Sequence, residues 1–275
     1  MNIYFYKNRH HTSNIAAFVR SVAIILALIF TATALSLILC TTVAATKATL
    51  STSAKAAILI EASTGKSIYE HNADMRLPMA STTKIMTALI AIESCKMDEI
   101  VTVASGAVGI EGSSVYLQAG ENLSMEDLVY ALMLESANDA AAAIAIEVAG
   151  SIEAFADLMN ERAAQFGLKN THFTNPHGLD NENHYTTARD LALLTAYAMQ
   201  NEEFAKIVST YKHTIPLPGK SGVRLLLNHN RLLRTSNEII GVKTGFTKKS
   251  GRCLVTAARR DGVTVIAVTL SDPND

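Results

Sequence analysis

The chain has no tryptophan, only three cysteines, and no acidic residue before Glu61. Three cysteines (Cys40, Cys95 and Cys253) in 275 residues exclude a disulfide-dense mini-protein. Fourteen glycines and five prolines exclude a collagen, and a hydrophobic fraction of 49% excludes a disordered chain. An excess of either charge is missing too. Lys and Arg number 24 against 25 Asp and Glu, and this net −1 argues against nucleic acid as the main partner. No His-Glu-x-x-His occurs and the histidines lack metal spacing, so a zinc enzyme is unsupported and no cofactor is expected. There is no internal repeat and no low-complexity tract. The length is ample for a buried core, in one large domain or two small ones.

What is present begins with a local excess of hydrophobicity. The mean hydropathy of +0.19 is high for a soluble protein. Residues 21–46 carry no charge, and Lys7, Arg9 and Arg20 precede or adjoin them. A basic segment, an apolar run and the small residues Val43-Ala44-Ala45 read as a secretory signal peptide or an uncleaved signal anchor over residues 1–45. The apolar run reaches the roughly 20 residues that span a bilayer, so both readings stand, and in both the rest of the chain is exported. Leu39 stands before Cys40, where a lipid-attached cysteine usually has a small residue, which argues against lipidation. Removal of residues 1–45 would leave 230 residues with 21 basic and 25 acidic side chains. Residues 46–55 are small and polar and read as a linker. Cys95 and Cys253 leave one disulfide or two free thiols open.

Beyond the linker the pattern runs strands, helices, strands. Residues 57–60 and 66–69, joined by Ser63-Thr64-Gly65, predict a hairpin. Residues 81–93 are apolar nearly all round, as a central buried helix would be. Ser124 three residues before Asp127 is an N-terminal cap signature, Gly150 and Gly167 are helix stops, and Thr187 caps a helix running to about Met199. Residues 171–185 read as a long polar loop. Residues 239–245, 252–258 and 263–270 are rich in Val, Ile and Thr, with the turn signal Asp261-Gly262 between the last two. The predicted fold class is α+β: one antiparallel sheet from N- and C-terminal strands, flanked by helices, plus a helical subdomain.

An enzyme that attacks a carbonyl needs an activated nucleophile, a base, and donors for the oxyanion. Ser-x-x-Lys supplies the first two when it lies on a helix, where positions i and i+3 share a face. The chain has three such pairs: Ser63/Lys66, Ser81/Lys84 and Ser209/Lys212. The first straddles a turn and the third sits at a helix end. Only Ser81/Lys84 opens a strongly apolar helix, whose N-terminus favours negative charge at Ser81. Ser136-Ala137-Asn138 lies between two helices, and Lys243-Thr244-Gly245 lies on a strand. Ser-x-x-Lys, Ser-x-Asn and Lys-Thr-Gly in this order are the signature of active-site-serine penicillin-interacting enzymes.

The stretch Leu77-Pro-Met-Ala-Ser81-Thr-Thr-Lys84-Ile-Met-Thr-Ala resembles the serine D-alanyl-D-alanine carboxypeptidases, the low-molecular-mass penicillin-binding proteins of the β-lactamase/transpeptidase-like fold. So do Gly112-Ser-Ser, Ser136-Ala-Asn138-Asp-Ala-Ala, Asn175-Pro-His-Gly-Leu179 and Val242-Lys-Thr-Gly-Phe-Thr247. The resemblance covers residues 56–270. It implies that Ser81 is the acylated nucleophile and that Lys84, its pKa lowered by nearby Lys243, takes the proton. It implies that Ser136 relays a proton to the departing D-Ala and that Asn138 holds the substrate amide and Lys84. Lys243 and Thr244, followed by Gly245, would bind the terminal carboxylate. The backbone N–H groups of Ser81 and Phe246 would form the oxyanion hole.

The implied substrate is a peptidoglycan stem peptide ending in D-Ala-D-Ala, with β-lactams as covalent inhibitors and membrane association only through an uncleaved N-terminal segment. His229 lies where some relatives place an arginine, so a role in carboxylate binding does not carry over. His177 and His184 sit in the polar loop and read as residues that hold it. Residues 56–275 form the expected catalytic domain, expected to be truncated because relatives continue with a helix and a second, β-rich domain. Two other functions fit the motifs. A class A-like β-lactamase shares them, but no Glu-x-x-Asn lies between Ala137 and Val242. A non-catalytic peptidoglycan- or β-lactam-binding module is the other.

Overall fold

The computed structural model describes residues 20, 22, 24–26, 29, 30, 50–219 and 222–274. The chain divides into two units, Met1–Thr49 and Leu50–Asp275. The described residues of the first unit are helical. Most of the expected export segment, with its Val43-Ala44-Ala45 site and Cys40, lies outside the described residues. Among the described residues no helix is long and apolar enough to cross a membrane.

The second unit is built on a five-stranded antiparallel sheet of order β2-β1-β9-β8-β7. Its strands are β1 (Ala56–Glu61), β2 (Ser67–His71), β7 (Ile239–Thr247), β8 (Gly251–Arg260) and β9 (Val263–Asp272). The expected union of N- and C-terminal strands is therefore real: β1 pairs with β9 from Ala56 opposite Leu270 to Glu61 opposite Val265. Alternation along these strands buries Ile58 and Ile60, Val255 and Ala257, and Ile266, Val268 and Leu270. The β8–β9 turn holds Asp261 at φ 50° and Gly262 at φ 81°, the two left-handed residues of a primed hairpin turn.

Among the described residues of the second unit six helices follow in order: α1 (Lys84–Ser94), α2 (Met125–Leu134), α3 (Asn138–Ala149), α4 (Ile152–Gln165), α5 (Ala188–Ala198) and α6 (Glu202–Ser209). Helix α1 is central, touching each of the other five, and is buried from Lys84 through Ala91. Ser124 caps α2 by accepting from Asp127 N at 3.0 Å, and Thr187 caps α5 by accepting from Asp190 N at 3.0 Å. Gly150 ends α3 in the left-handed conformation. The alanines at 140–143 are buried in α3, where small side chains let α2 and α4 approach closely. Cys95 and Cys253 are both free thiols, the first at the end of α1 and the second buried in β8.

Two small hairpins were absent from the sequence reading: β3 (Ile100–Thr102) with β4 (Asn122–Ser124), and β5 (Lys212–Pro216) with β6 (Val223–Leu227). The first has three residues per strand, and in β5–β6 only Ile215 and Leu226 are buried, so neither shows a strong period-two signal. The second hairpin is tied down by Arg224, which pairs with Glu121 and donates to the carbonyls of Pro216 and Tyr116. Glu121 is 1% exposed, so loss of its cation leaves a buried unpaired carboxylate. Arg224→Met is expected to lower unfolding free energy by about 3 kcal/mol in a urea titration; a change below about 1 kcal/mol would show that the pair contributes no more than a surface contact.

Candidate active site

The three motifs converge where α1, α3 and β7 meet. Residues Ala80–Thr83 form a 3₁₀ turn that runs straight into α1. With three residues per turn, positions i and i+3 eclipse, so Ser81 and Lys84 face the same way. The turn is braced by its own threonines: Thr82 Oγ1 donates to Met79 O at 2.6 Å and Thr83 Oγ1 to Ala80 O at 2.7 Å. Ala80, just before Ser81, sits at φ 47°, a left-handed conformation rare for a residue with a Cβ.

Lys84 is fully buried. Its Nζ lies 3.1 Å from Ser81 Oγ, 2.7 Å from Asn138 Oδ1 and 2.6 Å from the carbonyl oxygen of His177. Burial pushes its pKa well below the ordinary lysine value; the cation of Lys243 pushes the same way, and Asp139 opposes. The sequence reading assigned the shift to Lys243 alone, whereas desolvation is the larger cause. A neutral amine has two hydrogens and a lone pair. The two short contacts take the hydrogens, which leaves the lone pair for the hydroxyl of Ser81.

Asn138 opens α3 and is held from three sides. Its Nδ2 donates to Glu111 O at 2.5 Å, its backbone N–H donates to Ser113 O at 2.7 Å, and its Oδ1 accepts from Lys84. Gly112 makes this possible, because a Cβ there would lie 2.8 Å from Asn138 Nδ2. Asp139 anchors the same loop, accepting from Ser114 Oγ, Val115 N and Leu117 N at 2.6, 3.3 and 3.0 Å. Ser136 is buried at φ 61° in the turn between α2 and α3. Its hydroxyl makes no hydrogen bond to Ser81, Lys84 or Lys243 among the described residues.

On the strand side, Lys243 is buried and its Nζ donates to Thr244 O at 3.1 Å. Burial pushes its pKa down to about 7, against the upward pull of Glu135. Glu135 in turn accepts from Leu227 N at 2.6 Å and lies 3.3 Å from His229 Nε2. His229 is thus engaged with the residue preceding Ser136. Gly245 brings the strand against the Ser81 turn: a Cβ there would lie 2.9 Å from Ser81 N. Thr244 is half-buried. Phe246 is 59% exposed beneath Arg252, whose guanidinium carbon stands 5.3 Å from its ring centre.

The other two Ser-x-x-Lys pairs do not form sites. Ser63 Oγ donates to Glu61, and Ser209 Oγ to Lys206 O. No group of three or more His, Cys, Asp or Glu stands together as metal ligands among the described residues.

The sequence reading left out the groups that close the site from the loop at residues 174–187. His177 contributes its carbonyl oxygen rather than its ring, and a backbone acceptor leaves no side-chain signal. Asn175 shapes the turn by accepting from Gly178 N at 2.7 Å and donating to Leu179 O at 3.0 Å. Pro176 O accepts from Thr87 Oγ1 at 2.7 Å. Gly178, at φ 90°, passes so close to the Ser81 turn that a Cβ would fall 1.9 Å from Ala80 O.

This sheet, helical layer and Ser-Lys-Asn cluster define the fold of the D,D-peptidases and transpeptidases. Among solved structures, the chain aligns with the Streptomyces K15 DD-transpeptidase at TM-score 0.76 and 33% identity, over 82% of this chain and 92% of that one. It aligns with the D-alanyl-D-alanine carboxypeptidase DacD of Francisella tularensis at TM-score 0.76 and 30% identity, over 83% and 68%. The sequence profile of the Peptidase_S11 family, D-alanyl-D-alanine carboxypeptidase, matches residues 41–274, and the chain belongs to that family. DacF of Bacillus subtilis (strain 168), a D-alanyl-D-alanine carboxypeptidase, is 37% identical over 220 residues, 78% of this chain and 56% of that protein. DacC of Escherichia coli (strain K12), also a D-alanyl-D-alanine carboxypeptidase, is 39% identical over 241 residues, 82% of this chain and 58% of that protein. The chain therefore spans little more than half the length of these two relatives.

Gly178→Ala is expected to force the loop off the Ser81 turn. Unfolding free energy should fall by about 3 kcal/mol from clash and φ strain. An unchanged denaturation midpoint would show that the loop yields without cost.

Proposed function

We propose that the protein is a serine D-alanyl-D-alanine carboxypeptidase acting on peptidoglycan stem peptides that end in D-Ala-D-Ala. The observation that carries this reading is the buried Lys84 amine, held between Ser81 Oγ, Asn138 Oδ1 and His177 O with its pKa depressed. Such an amine is a base in contact with a hydroxyl nucleophile.

In this reading Ser81 Oγ attacks the carbonyl carbon of the penultimate D-Ala while its proton passes to Lys84 Nζ. The carbonyl oxygen takes the negative charge and is met by the N–H groups of Ser81 and Phe246. Collapse re-forms the carbonyl and breaks the C–N bond. The departing nitrogen takes a proton from Lys84 by way of Ser136, and free D-Ala leaves. Water then attacks the ester and releases the shortened peptide. Asn138 orients both Lys84 and the substrate amide. Lys243 and Thr244, with Gly245 allowing close approach, receive the terminal carboxylate, which selects a chain end over an internal bond. A β-lactam enters the same path: its ring C–N bond opens and the acyl group stays on Ser81. Residues 1–45 would deliver this domain to the outer side of the cell membrane, where its substrate lies.

Mass spectrometry of the protein mixed with penicillin, and separately with diacetyl-Lys-D-Ala-D-Ala, tests the reading. The expected result is a penicilloyl adduct on Ser81, absent from Ser81→Ala, together with release of D-Ala. Penicillin labelling without D-Ala release would favour a binding module, and rapid turnover of a chromogenic cephalosporin would favour a β-lactamase.

The pH profile follows from Lys243, whose pKa is held at about 7. Below that value the free enzyme presents a cation to the carboxylate; above it the amine is neutral and the attraction fades. KM for the peptide should therefore rise above pH 7, while protonation of Lys84 limits acylation at the acid end. Lys243→Met should raise KM below pH 7 towards the wild type's alkaline value and remove the alkaline limb. A limb that survives in this variant would assign it to another group.

A further inference from the structure

The loop opposite the nucleophile carries a buried histidine that the proposed reaction does not use. His184 is 3% exposed. Its Nδ1 faces the backbone N–H of Thr174 at 3.0 Å, so Nδ1 must be the acceptor and Nε2 must carry the hydrogen. Nε2 lies 2.7 Å from Thr83 Oγ1, and Thr83 Oγ1 lies 2.7 Å from the carbonyl oxygen of Ala80. The directions are then fixed along the whole chain. Thr174 N–H donates to His184, His184 donates to Thr83, and Thr83 donates to Ala80 O. Every buried donor meets an acceptor, and no member can be reversed without leaving two hydrogens face to face. Burial, reinforced by His177, His172 and Lys84, pushes the imidazole pKa down to about 3, which keeps the ring in this neutral form.

The last link ends on the peptide group that joins Ala80 to Ser81. This peptide is trans, so its carbonyl oxygen and its N–H point in opposite directions. Whatever fixes Ala80 O therefore fixes the direction of Ser81 N–H. Gly178 backs the same oxygen from the loop. Ala80 needs this hold because its φ of 47° is unfavourable for alanine by about 1–2 kcal/mol.

We propose that His184 and Thr83 are positioning residues that preset the backbone N–H of Ser81 as an oxyanion donor, by clamping the opposite end of its own peptide group. The proposal rests on the acyl-transfer reading given above. It explains why a histidine is buried in a loop whose other contacts to the Ser81 turn are made by backbone: a neutral imidazole accepts from an amide at one nitrogen and donates to a hydroxyl from the other, across a rigid ring.

The test is rapid-mixing acylation by penicillin, which separates the acylation rate constant from the non-covalent dissociation constant. Thr83→Val keeps the shape and removes the hydroxyl. Acylation is expected to slow about 10- to 100-fold, less than or equal to loss of a whole oxyanion donor, with non-covalent binding changed by less than about threefold. Thr83→Ser restores the hydroxyl and should recover the rate to within about threefold. The second pair reads the same chain from the other end. His184→Phe should show the same fall, and His184→Gln, whose terminal amide can donate to Thr83, should acylate faster than His184→Phe. If Thr83→Val does not fold, the His184 pair decides alone. Variants that melt at a lower temperature yet acylate at the wild-type rate well below melting would overturn the proposal and leave a purely structural role. A wild-type protein that penicillin fails to acylate overturns the acyl-transfer reading as well, so the two failures are told apart by the wild type.

Discussion

Everything at the centre of this fold is arranged around one amine without water. An ammonium moved from water to a protein interior is penalised by several kcal/mol even after relaxation, and Lys84 is fully buried. The penalty is met in two ways. The pKa falls, so the charge is more readily shed, and polar partners come from three directions: the Ser81 turn, the start of α3 and the loop at residue 177. These belong to separate segments of the chain. The amine therefore acts as a joint between the helical layer and the loop, and the burial that lowers its pKa also requires the fold to close around it.

A second buried amine stands nearby. The cation of Lys243 depresses the protonation of Lys84, which favours a state with one neutral and one charged. Their surroundings decide which. Lys243 has Glu135 pulling its pKa upward, and Glu135 is itself held by Leu227 N and His229. Lys84 has two neutral oxygens closer than its serine. The asymmetry assigns the proton to Lys243 and the lone pair to Lys84, as the proposed chemistry requires: a cation for a carboxylate, and a base for a hydroxyl. Glu135, adjacent in sequence to Ser136, is the residue through which the β5–β6 hairpin reaches this balance.

Much of this was legible in the sequence. The helices were marked by caps at Ser124 and Thr187 and by Gly150, all local signals that tertiary structure did not override. The shared sheet followed from apolar β-branched runs at both ends of the chain. Ser81/Lys84 could be chosen over two identical spacings because only it opened an apolar helix. What escaped was non-local or carried by the backbone. The carbonyl of His177, the 1.9 Å approach of Gly178 to Ala80 O and the loop held by Asp139 exist only once distant segments meet. Burial of Lys84 escaped as a magnitude: a charge partner can be read from a motif, but desolvation depends on the completed core.

The two residues that precede or open the serine-bearing motifs, Ala80 and Ser136, both adopt positive φ. Neither is glycine, so each carries strain that a glycine would not. Strain of this kind persists only where surrounding contacts over-determine it. At Ala80 those contacts are visible: the hydroxyl of Thr83 and the backbone of Gly178 converge on one carbonyl oxygen. A glycine there would relax the φ cost but widen the range of conformations open to the turn. Alanine, once forced into the left-handed well, has a narrower range, so Ser81 and its N–H are held more tightly. The strain is thus the consequence of rigidity at the reacting end of the chain, and the polar loop from residue 174 to 187 is the element that maintains it.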